Sequence, residues 1–248
     1  MNLSIVTAPG KLQSRNNLRS KLANSRWGAN PHVMRTTALA MCYSVAEYAC
    51  PVWLDSTHSK LIDVALNETC RKITGCMKST PINQLYNLSG IAPPLIRRKC
   101  HLMTEKQKQE TDPRHPLYGA LPPDRRLKSR YSFLNKELAL QLPPEKYKER
   151  FWRLQNKSNF HPTNYREVLP PGGSLKWCTW KTLNRLRCLK GRCKDTLKKW
   201  GVITDNKCAC GEVQTMEHIV RSSGITMGHL FEATPEAVQL AEKWQANL

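Results

Sequence analysis

Apolar residues recur at helical spacing over the first 120 positions, with no sustained alternation of the kind a strand requires. In "KLQSRNNLRSKLANSR" (residues 11–26), Leu12, Leu18 and Leu22 stand among basic residues, which suits an amphipathic helix. The next stretch, "NPHVMRTTALAMCYSVAEYACPVW", opens with Asn30 as N-cap and Pro31 as first helical residue. Its middle is apolar nearly all round, so it is expected as a buried central helix that Pro51 kinks or ends. In "SKLIDVALNETCRKITGC", Leu61, Ile62, Ala65, Leu66, Cys70 and Ile73 share a helical period, and Gly75 is placed to stop it. A short helix in "PINQLYNLSGIAPP" ends at Gly90, and "LIRRKCHLMTEKQKQE" is strongly helical again.

From residue 112 to 175 the texture changes. "DPRHPLYGALPPDRRLKSR", "LPPEKYKERF" and "LPPGGSLKW" are broken by Pro and Gly and loaded with charge. They predict a basic, loop-rich connector with one or two short helices, weakly ordered by itself. Helical periodicity returns in "KWCTWKTLNRLRCLKGRCKDTLKKWG", where Trp177, Trp180, Leu183 and Leu186, with Leu189 or Leu197, make one face. "TPEAVQLAEKWQANL" closes the chain as a helix capped by Thr234. The expected fold is therefore mainly α, in three parts: a helical domain at 11–111, a Pro-rich basic connector at 112–175, and a small helical C-terminal domain at 176–248.

Charge changes this picture. The net charge is +20, and residues 97–200 hold 26 basic against 9 acidic groups. A belt this basic repels itself unless a polyanion gathers there, so RNA or DNA is the expected partner. A membrane surface fits less well, because the basic residues do not face a continuous apolar helix side. The densest segment supplies Arg185, Arg187, Lys190, Arg192, Lys194, Lys198 and Lys199 as candidate phosphate contacts. The plain alternative is a solvated helix face, disfavoured because few acids stand nearby as partners. Trp177, Trp180 or Trp200 could stack on a base, though tryptophans at helical spacing belong by default to a core. Ten singly scattered cysteines and the lack of an apolar signal segment or a bilayer-length apolar run suit a reduced, intracellular protein.

Chemistry concentrates in "CACGEVQTMEHIVRSSG". Cys208 and Cys210 would form a tight knuckle, Gly211 lets the chain turn, and a helix beginning near "QTMEHIV" would aim His218 back at it. A structural zinc wants a fourth donor, and the position five beyond His218 holds Ser223. Three possibilities stand open: water or the Ser223 hydroxyl completes a weakened site, Cys193 or His229 swings in, or no metal binds. The remaining histidines are dispersed, and no spacing suggests a Ser/His/Asp or Cys/His catalytic set.

Several blocks in order, "RNNLRSKLANSRWGAN", "RTTALAMCYSVAEYACPVW", "LNETCRKITGCMKSTP", "LYNLSGIAPPLIRR" and "LNRLRCLKGRCKDTLKKWG…CACGEVQTMEHIV", resemble the C-terminal part of the reverse transcriptase of jockey-type non-LTR retrotransposons. The resemblance runs from about residue 11 to about residue 230. It implies a helical thumb, a connector, and a terminal C-x-C-x7-H-x4-C zinc knuckle whose ligands fall on Cys208, Cys210 and His218, with the fourth on Ser223. Zinc is thus the implied cofactor, with reduced affinity, and element RNA and template–primer are the implied partners. The blocks of the family's fingers and palm do not occur here, and no Asp-Asp pair is present to hold two catalytic metal ions. The chain alone is expected to bind nucleic acid without polymerising it, a separate polymerase portion being a further implied partner. A helical protein-interaction module, and a relic of a degenerate element without a selected role, are the alternatives.

Overall fold

A computed structural model of the chain describes residues 2–23, 28–121, 142–156, 165 and 167–245. Parts of three expected features lie outside the described residues: helix 11–26 beyond residue 23, the connector at 122–141, 157–164 and 166, and the closing helix beyond residue 245. Within them the protein is mainly helical, and the one ladder contact is an isolated antiparallel bridge between Lys207 and Val213.

Helix α1 (Asn2–Ser20) starts nine residues before the amphipathic stretch, running through Pro9. Its inward face is Ala8 and Leu12, continued by Asn16 and Arg19, while Leu18 points out. Two buried polar residues on a core face need partners, because an unpaired buried polar group costs about 1–3 kcal/mol. Asn16 donates to the Ala65 carbonyl at 3.1 Å and accepts from Thr69 Oγ1 at 3.0 Å, and Arg19 Nη2 donates to the Met34 carbonyl at 2.6 Å.

Asn30 caps α2 (Pro31–Ala38) as expected, accepting from Val33 N at 2.9 Å. A π-helical turn, Leu39–Tyr43, leads into the single turn α3 (Ser44–Ala46). The chain then breaks at Ala49, in the left-handed region at φ 49°, before α4 (Cys50–Trp53). The break falls two residues ahead of Pro51, which can neither donate to a helical carbonyl nor tolerate the one four residues back. This run is not buried all round, because its neighbours cover only one side: Ala38, Cys42 and Ala46 face the core with α1, and Met34 faces Trp177 and Trp180, whereas Val33 and Tyr48 face out.

The long α5 (Ser59–Thr74) buries Ile62, Ala65, Leu66, Cys70 and Ile73 and ends at Gly75 with φ 69°. Leu61, expected on that face, is exposed. Helix α6 (Ile82–Ser89) ends at Gly90, and α7 (Pro94–Thr111) follows. From the connector, α8 (Pro144–Gln155) packs Tyr147 and Trp152 against Ile96, Cys100 and Met103 of α7. An ion network ties the same region: Arg97 bridges Glu47 and Glu167, and Lys148 reaches Glu167 Oε2 at 3.1 Å.

Helix α9 (Trp177–Arg187) buries Trp177, Trp180, Leu183 and Leu186, the face that the sequence pattern marks. Leucines 183 and 186 meet Ile219, Val220, Leu230 and Leu240 of α11 (Met216–Ser222), α12 (Met227–Glu232) and α13 (Pro235–Trp244), the last capped by Thr234. The other side of α9 meets the end of α5. Trp180 Nε1, Asn184 Nδ2 and Arg185 Nε donate to the carbonyls of Ile73, Thr74 and Gly75, each at 3.0 Å. The last carbonyls of a helix have no partner inside it. Here a second helix, more than 100 residues away, supplies three donors to them.

Candidate metal centre and its basic surroundings

The knuckle is built from short-range contacts. Cys208 N donates to the Glu212 carbonyl at 2.8 Å, Gly211 N donates to the Cys208 carbonyl at 2.9 Å, and Gly211 adopts φ 88°. Thr215 then caps α11, its Oγ1 accepting from His218 N at 3.0 Å. That cap places His218 in the first helical turn with its ring turned to the knuckle and the side chain 7% exposed.

The donor atoms of Cys208, Cys210 and His218 all lie within 4.8 Å of one another, and Cys210 Sγ stands 3.4 Å from His218 Nε2. A tetrahedron with zinc–sulfur and zinc–nitrogen bonds of about 2.3 and 2.05 Å has an S···N edge of about 3.5 Å. The geometry and the soft S, S, N donor set therefore fit a zinc ion on three sides. The Cys208 thiol is lowered to about 7, chiefly by a hydrogen bond from the Cys210 backbone and then by His218, so much of it is thiolate, the metal-binding form, at neutral pH. A bound zinc would pin the knuckle to α11, a structural rather than a catalytic role.

Glu212 is the residue that sequence reading missed. Its Oε2 lies 2.9 Å from His218 Nδ1, without the alignment of a hydrogen bond, and it also pairs with Arg221. With Nε2 facing the sulfurs and Nδ1 facing a carboxylate, His218 has the outer partner that orients a metal-bound imidazole. Glu212→Gln is expected to weaken zinc binding by about 10–100-fold in competition against a chromophoric chelator. An unchanged affinity would show that the carboxylate does not orient the ring.

The possible fourth donors lie elsewhere. Ser223 Oγ donates to the Val220 carbonyl at 2.7 Å, and the residue lines a cleft against α13. Cys193 is buried with its Sγ 3.2 Å from Thr196 Oγ1, and His229 Nδ1 accepts from Thr226 N at 3.4 Å in a capping box.

Of the candidate phosphate contacts, Lys190, Arg192, Lys198 and Lys199 are exposed, the last paired with Asp195 at 2.6 Å on α10 (Lys194–Lys199). Lys194 is half-buried and donates to the Lys207 carbonyl at 2.8 Å, joining α10 to the knuckle. Arg187 is corrected by the structure: it is 1% exposed and donates to the carbonyls of Leu230 at 2.8 Å and Pro171 at 2.7 Å. Burial lowers its guanidinium to about 9. A charge run read along the chain does not reveal that one of its members faces inward to close the end of α12. Trp200 is half-exposed, whereas Trp177 and Trp180 belong to the core.

Among the described residues no helix is long and apolar enough to cross a membrane. Comparison with protein-family models, with curated proteins and with solved structures finds no match for this chain.

Proposed function

We propose that the chain is a nucleic-acid-binding module of the kind that ends a non-LTR retrotransposon reverse transcriptase. The observation that carries this reading is the juxtaposition of a knuckle-like Cys208/Cys210/His218 group with exposed cations on the segment leading into it. Lys190, Arg192 and Lys198 offer the strand exposed charges, Lys199 adds one that Asp195 shares, and Lys194 holds α10 to the knuckle, so zinc bound there would stiffen this basic surface. Affinity then comes from counterions released as phosphates are neutralised, which is independent of base sequence. The chain carries no Asp-Asp pair, so it supplies grip on RNA or template–primer and leaves phosphoryl transfer to a polymerase portion.

Fluorescence anisotropy of the whole chain on a labelled single strand across a salt series tests the reading. Each neutralised phosphate adds about −0.7 to the log–log slope, so three or more contacts give about −2 or steeper. Arg187→Met should lower the melting temperature and leave the slope unchanged, because Arg187 lies under the surface. A wild-type slope shallower than about −0.7 would overturn the reading. It would favour a protein partner instead, for which Tyr48, Leu61 and Val64, exposed at 76%, 54% and 66%, provide apolar surface.

A further inference from the structure

Where the end of α5 meets α9, a cleft of about 360 Å³ gathers cations from three stretches of chain: Arg71 and Lys72 of α5, Lys78 beyond the Gly75 turn, and Lys181 and Arg185 of α9. One carboxylate stands among them, Glu68, which is 3.9 Å from Arg71 and 3.5 Å from Lys72. Lys78, Lys181 and Arg185 have no carboxylate within pairing distance among the described residues.

This arrangement works against the fold. Lys181 and Arg185 are one helical turn apart, where like charges disfavour each other. Burial lowers both from their ordinary values, helped by Arg185 acting on Lys181 and by Arg192 acting on each of them. Among the described residues, Arg71 Nε is buried without a hydrogen-bond partner, and Arg185 gives the protein only its Nε–H, to the Gly75 carbonyl. The backbone makes room for the lysine: a Cβ on Gly75 would lie 2.5 Å from Lys181 Cγ, and the φ of 69° already favours glycine. Unpaired cations crowded into a partly buried cleft match a ligand that brings several negative charges.

We propose that this cleft seats the phosphodiester backbone of a nucleic-acid strand, with Lys78, Lys181 and Arg185 as its contacting cations. The proposal rests on the nucleic-acid-binding reading above and gives it a place. Arg192, exposed and close enough to act on both Lys181 and Arg185, adds a further positive charge beside the cleft, so consecutive phosphates fit better than a lone anion. Lys78 stands outside the basic run at 185–199 and comes to it only through the packing of α9 on the end of α5, whereas Lys181 precedes that run by one turn of α9.

The test compares labelled single-stranded RNA binding by the full-length chain in salt series. The variants are the double substitution Lys78→Gln with Lys181→Gln, the charge-keeping Lys181→Arg, and Lys198→Gln with Lys199→Gln on α10, outside the cleft lining. The cleft pair is expected to flatten the slope by about 1.4, two phosphates' worth, while Lys181→Arg keeps the wild-type slope. Lys181→Arg separates loss of charge from loss of fold, and circular dichroism melts of each variant check the latter. A cleft pair that retains the full slope while the Lys198/Lys199 pair flattens it would overturn the cleft and leave the broader reading standing. A salt-insensitive wild type would remove both. Inorganic phosphate that protects the wild type against heat, but not the cleft pair, with RNA slopes unchanged, would overturn the proposal in favour of a small-anion site.

Discussion

Arg97→Met is expected to destabilise the chain by about 3–5 kcal/mol, since removing one partner from a buried ion network strands the others. Arg97 is 14% exposed and sits between Glu47, 11% exposed, and Glu167, 21% exposed. Its Nη2 donates to Glu47 Oε2 at 2.8 Å, and its guanidinium lies 5.1 Å from the Tyr43 ring centroid. Methionine would fill the space and leave Glu47 to His101, and Glu167 to Lys148 and the Ala92 N–H, without the cation that joins them. Because Glu167 belongs to the connector, α8 and the 167–175 segment should loosen first.

The network also predicts a pH signature. Burial acts to raise Glu47 and Glu167, but Arg97, with His101 on the first and Lys148 on the second, outweighs it, so both lie below their ordinary 4.5. A carboxylate lowered by folding contributes stability that is full above its unfolded value and is lost as pH falls through the folded one. The difference between wild type and Arg97→Met should therefore be largest near pH 7 and shrink below about pH 4.5. Urea melts at pH 7 and pH 3.5 measure it. A difference that is the same at both, or below about 1 kcal/mol at pH 7, would show that the network carries little of the fold.

Zinc binding carries the second large effect. Cys210→Ser should weaken zinc by at least about 100-fold, near 3 kcal/mol, because it removes one of three donors already assembled. Cys210 is exposed, so the fold should survive and the loss be read directly from zinc content. Ser223→Cys tests the fourth position in the opposite direction and is expected to tighten zinc by about tenfold, ~1.4 kcal/mol. The gain requires the end of α11 to release the bond that Ser223 Oγ now makes to the Val220 carbonyl. Equal affinity for the native and substituted chains would mean that position 223 is not a ligand position.

The sequence by itself determined what is decided within one or two helical turns. The Asn30 and Thr234 caps, the stops at Gly75 and Gly90, the inward face of α9 and the Cys208/Cys210/His218 group all rest on spacings a few residues long. The spacing of residues is enough to read those. Tertiary structure alone decided which polar residues turn inward and whom they meet. Arg19 and Asn16 extend an apolar face, Arg187 leaves the surface run, Lys78 joins one, and Arg97 unites acids 50 and 70 residues away in the chain. The physical reason is that periodicity marks a face but not its partners. A buried cation is tolerated only where another segment brings carbonyls or carboxylates to it, and that depends on how α5, α7 and α9 pack rather than on the local pattern of any one of them.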